Sequence, residues 1–343
     1  MHRRCPAVAD VCAAVAAVAI LGVVPLLAQA PGPASPPPVG EVGDAWTARR
    51  TAWGDPDLQG NFTNKSEQST PFERPAEFEG RRIEDFEAAE LAEIARARQE
   101  RVIFNARPPG DSGVHSPVHW SDRFEVDKAS RPWLVVDPPD GRIPDVTPEG
   151  QRRLAAQAAA RRARSEADSF SDRSLYDRCI TRGLPGSMMP AIYGNSFQIV
   201  QSPGYVAIRY EMVHETRIIP LDARPRLGES IRQYMGDGRG RWDGDTLVVE
   251  TRNFREGSTY RGADARSLRL VERFTRVAPD TVMWAVTVDD GSTWARPWTF
   301  ALPLTESDAE PVFEYACHEG NYAMSNILSG ARAEEQAAAG GAE

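Results

Sequence analysis

From Ser196 onward the apolar residues of this chain fall at every second position, whereas earlier they recur every three or four. Alternation at period two marks half-buried strands. It delimits eight runs: Phe197 to Gln201, Tyr205 to Met212, His214 to Leu221, Thr246 to Thr251, Leu268 to Val277, Thr281 to Val288, Pro297 to Pro303 and Val312 to Cys317. Turn-forming clusters such as Ser202-Pro203-Gly204, Trp242-Asp243-Gly244-Asp245 and Ala278-Pro279-Asp280 separate most of them. Short connections make successive strands antiparallel. The pattern therefore predicts a mainly β (α+β) protein, with an antiparallel eight-stranded meander over residues 191–324. Eight strands either close into a barrel wide enough for one small ligand or form a strongly curved sheet covered by flanking N-terminal helices.

Residues 46–190 read as a helical and loop-rich portion packing on that sheet. Leu58 to Thr63 and Trp133 to Val136 are short strand candidates, and Phe86, Leu91, Ile94 and Ala95 give Glu84 to Ile103 helical spacing. Thr147-Pro148-Glu149 supplies a cap, a first-turn proline and a first-turn acid to an alanine-rich helix ending near Ala167. Its arginines make a solvated basic face. A C-terminal helix and flexible tail are expected over residues 325–343.

The N-terminus changes the setting. Arg3 and Arg4 precede an uncharged apolar run from Val11 to Leu27, and Ala28-Gln29-Ala30 follows with the small residues that a signal peptidase reads. Residues 1–30 are thus expected to be a signal peptide cleaved near Ala30, with an uncleaved anchor as the alternative, since Pro31 hinders cleavage. A proline-rich linker over residues 31–45 follows. The protein is then periplasmic or secreted, with no stable membrane insertion once the leader is gone. A net charge of −9 argues against nucleic acid as a partner. Of four cysteines, two lie in the leader. In an oxidising compartment Cys179 and Cys317 are expected to form a disulfide, closing a loop long enough for a chain-entropy effect of about 5 kcal/mol.

Strand alternation also nominates site residues. Leu268, Leu270, Glu272 and Phe274 share one face, so a carboxylate sits among large apolar side chains. If that face is interior, desolvation raises the Glu272 pKa and suits it to proton transfer, unless an arginine (Arg209, Arg217 or Arg296) pairs with it. His214, at a strand junction, and His318, beside Cys317, are the candidate bases. Trp284, Trp294 and Trp298, with Arg296 between the last two and Tyr210 nearby, offer stacking and polar contacts for an apolar or glycosidic small molecule. His115 and His119 have a helical ligand spacing, but Gly113 and Pro117 argue against the helix, so no metal site is expected. Together with Trp120 they suggest a loop over a cavity mouth.

No nucleophile elbow, phosphate loop, dinucleotide fingerprint or zinc-protease motif is present, and no cofactor is expected. The run Gly240 to Thr251 (GRWDGDTLVVET), with Cys317 to Tyr322, Asn326 to Arg332 and Val136 to Pro144, resembles a family of exported bacterial proteins known chiefly as hypothetical. The resemblance spans nearly the whole mature chain and implies no catalytic assignment. The barrel is also loosely similar to calycin-type ligand-binding barrels, a fold-level analogy that carries no function. Two readings stand. One is a cofactor-free enzyme using Glu272 and a histidine for elimination, isomerisation, cyclisation or hydrolysis in a barrel cavity. The other is a carrier that holds its ligand unchanged, favoured if an arginine neutralises Glu272.

Overall fold

The alternation is realised as a sheet that curves until its two edges meet. A computed structural model of the protein describes residues 47–105, 125–307 and 311–340. The expected leader, the whole of the expected linker and the segment with His115, His119 and Trp120 lie outside the described residues. Ten strands occur among those described: β1 (Gly60–Thr63), β2 (Val135–Asp137), β3 (Ser196–Ser202), β4 (Tyr205–Tyr210), β5 (Thr216–Pro220), β6 (Asp237–Asp243), β7 (Thr246–Arg252), β8 (Arg269–Ala278), β9 (Thr281–Asp289) and β10 (Trp298–Glu306). The helices are α1 (Ala88–Asn105), α2 (Pro148–Arg162) and α3 (Ala323–Gly340). Nine strands follow the order β5-β4-β3-β1-β10-β9-β8-β7-β6, each ladder antiparallel, and β2 pairs with β10. The protein is mainly β, a nearly closed antiparallel barrel with helices beside it.

Three features differ from the sequence pattern. The meander is interrupted: β3 to β5 and β6 to β10 are separate runs, joined by β1, which pairs Phe62 with both Phe197 and Glu306. An N-terminal strand thus completes the barrel as well as packing on it. Val312 to Cys317 forms no strand; Val312 is buried and Phe313 exposed, but the segment has no ladder partner to satisfy its backbone. β6 takes its place in the sheet. Its DGRGRWD sequence lacks apolar alternation because Gly238 and Gly240 occupy inward positions, opposite Thr251 and Val249 of β7. Seven ladder pairs with β7 override the weak strand propensity of glycine.

The helix reading transfers closely. Thr147 caps α2 by accepting the Gly150 N–H at 3.0 Å, and Pro148 stands in the first turn, though the helix ends at Arg162, short of Ala167. Phe86 and Leu91 pack with Trp133 in a small cluster on the outside.

Closure leaves one seam. Every step of the order from β5 round to β6 is antiparallel, so β5 and β6 run in the same direction. An odd circuit of nine antiparallel strands must contain one such pair. Residues 221–236 return the chain along this junction: the Leu221 N–H donates to Gly204 O at 2.9 Å, Arg226 donates to Asp237 O at 2.7 Å, and Asn253 donates to Leu227 O at 3.0 Å. No β5–β6 ladder forms among the described residues. Side chains hold the seam instead. A Cβ on Gly240 would stand 2.6 Å from Leu221 Cδ2 and 2.9 Å from Ile219 Cγ2. Gly240→Val is therefore expected to wedge the edges apart and lose about 1–3 kcal/mol in urea unfolding. An unchanged midpoint would show that the seam does not depend on this close approach.

Candidate functional site

Inside the barrel, the inward side chains of β3, β4 and β7 to β10 merge into one continuous core. Glu272 belongs to this interior and is fully buried. Its carboxylate is gripped by Arg217 through two hydrogen bonds, one from each terminal nitrogen, the longer at 3.1 Å. The Trp284 indole N–H donates to the same carboxylate at 3.2 Å. Arg217, on β5, thus reaches past β6 and β7 to Glu272 on β8, fastening the seam from within. Burial works against the Arg217 charge, but Glu272 outweighs it and holds the guanidinium pKa above its ordinary value. Of the three arginines anticipated as partners, Arg217 is the one that pairs. Arg296 instead bonds Asp137 on the exterior at 3.0 Å.

The other nominated residues are distributed differently from the expected pocket. Trp284, Trp294 and Trp298 are buried core, with Trp294 and Trp298 in edge contact at 5.6 Å and Trp284 edge-on to Phe300 at 5.7 Å. They fill space rather than line an opening, because burying an indole inside is worth more than exposing it at a rim. Both histidines are exposed. His214 lies 3.1 Å from the Tyr315 carbonyl through Nδ1, and His318 borders a shallow cleft of about 340 Å³ beside the disulfide. Neither is among the hydrogen-bond partners of Glu272, so the proposed proton-transfer set does not assemble. The Cys179–Cys317 disulfide is present, spanning 138 residues.

The seam opens a cleft that the sequence reading did not isolate. It has a volume of about 850 Å³ and is bounded by β5, the return segment and β6, with Glu215, Arg217, Tyr234, Gly238, Arg232 and Arg255 among its walls. Glu215 enters it because Val213 and His214 turn the chain through left-handed conformations, φ 60° and 44°, a conformation that costs a β-branched residue energy. Burial lifts the Glu215 carboxyl above the usual carboxylate range, although Thr181 donates to it at 2.7 Å and Arg217 opposes the shift. A carboxyl raised by burial and facing a cleft is a candidate for acid/base work. Glu215 was passed over because its role depends on which loop faces the seam. The signal available was its proximity in sequence to Arg217.

No protein-family model matches the chain, and no curated protein matches it. The buried carboxyl of Glu67 is also raised by burial, but the Ser130 N–H at 2.7 Å and the Thr70 hydroxyl at 3.0 Å satisfy it internally. It anchors the segment around Ser130 rather than facing a cleft. Among the described residues no group of three or more His, Cys, Asp or Glu side chains could hold a metal ion, and no helix is long and apolar enough to cross a membrane.

Proposed function

We propose that this protein is an exported bacterial binding protein that holds a small molecule in the cleft at the barrel seam. The observation that carries the reading is the pairing of Glu272: with its charge neutralised by Arg217 in a closed core, the interior acts as a scaffold. The concave space then lies at the seam, where polar groups converge on a volume typical of small-ligand sites. The N-terminal leader pattern and the disulfide support an oxidising compartment. So does the resemblance to exported bacterial proteins. A second reading, acid/base chemistry at the cleft, has one observation in its favour, the raised Glu215 carboxyl.

The test is to express the protein with its leader, purify it without denaturation and identify bound small molecules by mass spectrometry. Gly238→Leu is the paired variant. Gly238 lines the cleft, and a Cβ there meets only Thr251 Oγ1 at 3.4 Å and Val249 Cγ1 at 3.7 Å, so a side chain can start from this position without displacing backbone. The ligand is expected to accompany the wild type and to be lost from Gly238→Leu, with the unfolding midpoint retained. Equal ligand content in both would move the site elsewhere. Turnover of the ligand that Glu215→Gln abolishes would replace the carrier reading with the catalytic one.

A further inference from the structure

The disulfide stands beside the barrel rather than inside it. Cys179 and Cys317 are 8% and 9% exposed, and both border the cleft of about 340 Å³ whose other walls include Phe170, Arg178, His318 and Asn321. The charge of this cleft is one-sided. Asp177, the acid on its wall, is held by Arg173 at 3.2 Å, whereas Arg178 lies over the Phe170 ring at 5.4 Å and has no carboxylate partner among the described residues. A positive, partly open setting of this kind favours the thiolate form that thiol exchange requires.

Both redox states are provided for at Cys179. Asn321 Nδ2, which donates to Cys317 O at 2.8 Å, also stands 3.7 Å from Cys179 Sγ, where it can donate to a departing thiolate. Cys317 O lies 3.1 Å from the same sulfur and accepts from it once it is a thiol. The bridged form meanwhile keeps Cys179 at φ 54°, in the left-handed region that a non-glycine residue avoids, and opening the bridge frees the residue to leave it. What the bridge retains is a C-terminal arm. Residues 311–317 have no ladder, α3 has no buried residue, and the further ties of the arm include His214 with the Tyr315 carbonyl and Arg332 with the carbonyls of Ala167 and Asp168. The bridge is its covalent hold.

We propose that the Cys179–Cys317 bridge is a thiol-exchange latch, opened in the folded protein by a dithiol reductant and releasing residues 311–340 from the barrel. A thiolate of the dithiol attacks Cys317 Sγ, the bond between the two cysteine sulfurs breaks, and Cys179 leaves as a thiolate beside Asn321 before taking a proton from solvent. The second sulfur of the dithiol, after losing its proton, attacks the mixed disulfide, and Cys317 leaves as a thiolate and is protonated in turn. Both electrons come from the dithiol, which ends as its own disulfide.

Dithiothreitol is the probe, added to the mature protein and followed by alkylation and mass spectrometry. The reduction rate is expected to be proportional to dithiothreitol concentration and to change by less than about twofold in urea below the unfolding transition, because no global opening precedes the attack. Glutathione, a monothiol, traps the intermediate when an alkylating agent is present: its adduct is expected on Cys317, with Cys179 alkylated. After reduction, amide exchange should quicken at least about tenfold across residues 311–340 while β7 to β10 keep their protection. Reduction that needs denaturing urea, or whose rate climbs with urea in step with global unfolding, would overturn the latch. So would reduction that leaves exchange in the arm unchanged or unfolds the barrel with it. A glutathione adduct on Cys179 would overturn the assigned direction of attack.

Discussion

Glu272→Gln is expected to lower the unfolding free energy by about 3–5 kcal/mol, the usual consequence of leaving one member of a buried ion pair alone. The substitution preserves size, and the new amide oxygen can still accept the Trp284 indole N–H, so the loss reports on charge. What makes it large is the isolation of Arg217. Its guanidinium is almost fully buried and its ionic partner is Glu272. Because Arg217 stands on one edge strand and Glu272 lies beyond the other edge, the variant should also loosen the seam. Amide exchange ought to quicken in β5 and β6 before it does in β9 and β10. Replacing both partners, with Arg217→Met and Glu272→Leu together, should recover most of the stability, since apolar packing substitutes for a buried pair at little cost. Urea unfolding of the two single variants and the double variant closes the cycle. A loss below about 1 kcal/mol for Glu272→Gln would mean that water or another group compensates Arg217, and the internal clamp would have to be abandoned.

Removal of the disulfide by Cys179→Ser with Cys317→Ser is expected to cost about 2–5 kcal/mol, in keeping with a closed loop of 138 residues. The effect has a local part. Residues 311–317 have no sheet ladder, and their described attachments include the bridge and the His214 contact with the Tyr315 carbonyl. Without the bridge this segment should exchange its amides far faster than the barrel. Thr181, which donates to Glu215, is two residues from Cys179, so the cleft should feel the change as well. Thermal unfolding with and without reductant measures the global loss. Alkylation of the non-reduced protein checks the premise: neither Cys179 nor Cys317 should be labelled. Labelling of both, or an unfolding midpoint indifferent to reductant, would contradict the anchoring role.

Most of the strands were legible because their side chains alternate against a common core. β3, β7, β8 and β9 begin and end within a residue or so of the runs read from pattern alone. The burial of Glu272 among Leu268, Leu270 and Phe274 was likewise accessible, because a strand fixes which residues share a face. Pattern did not separate the tryptophans of a cavity wall from those of a core. That distinction depends on what stands opposite, and opposite Trp298 and Trp284 stand Phe72 and Phe300. β6 escaped notice for a related reason: inward glycines are informative only once the residues that fill their space, Ile219 and Leu221, are known.

Local order thus specified the β character, the antiparallel pairing of neighbours, the cap of α2 and the partnership of two cysteines, since each follows from residues close in the chain or from a forced choice. The insertion of β1 between β3 and β10, the selection of Arg217 for Glu272 and the position of the cleft were settled by folding over long separations. These features arise from closure. Nine strands around a circuit must leave one mismatched junction, and the place where it falls is set by how the whole sheet fits together.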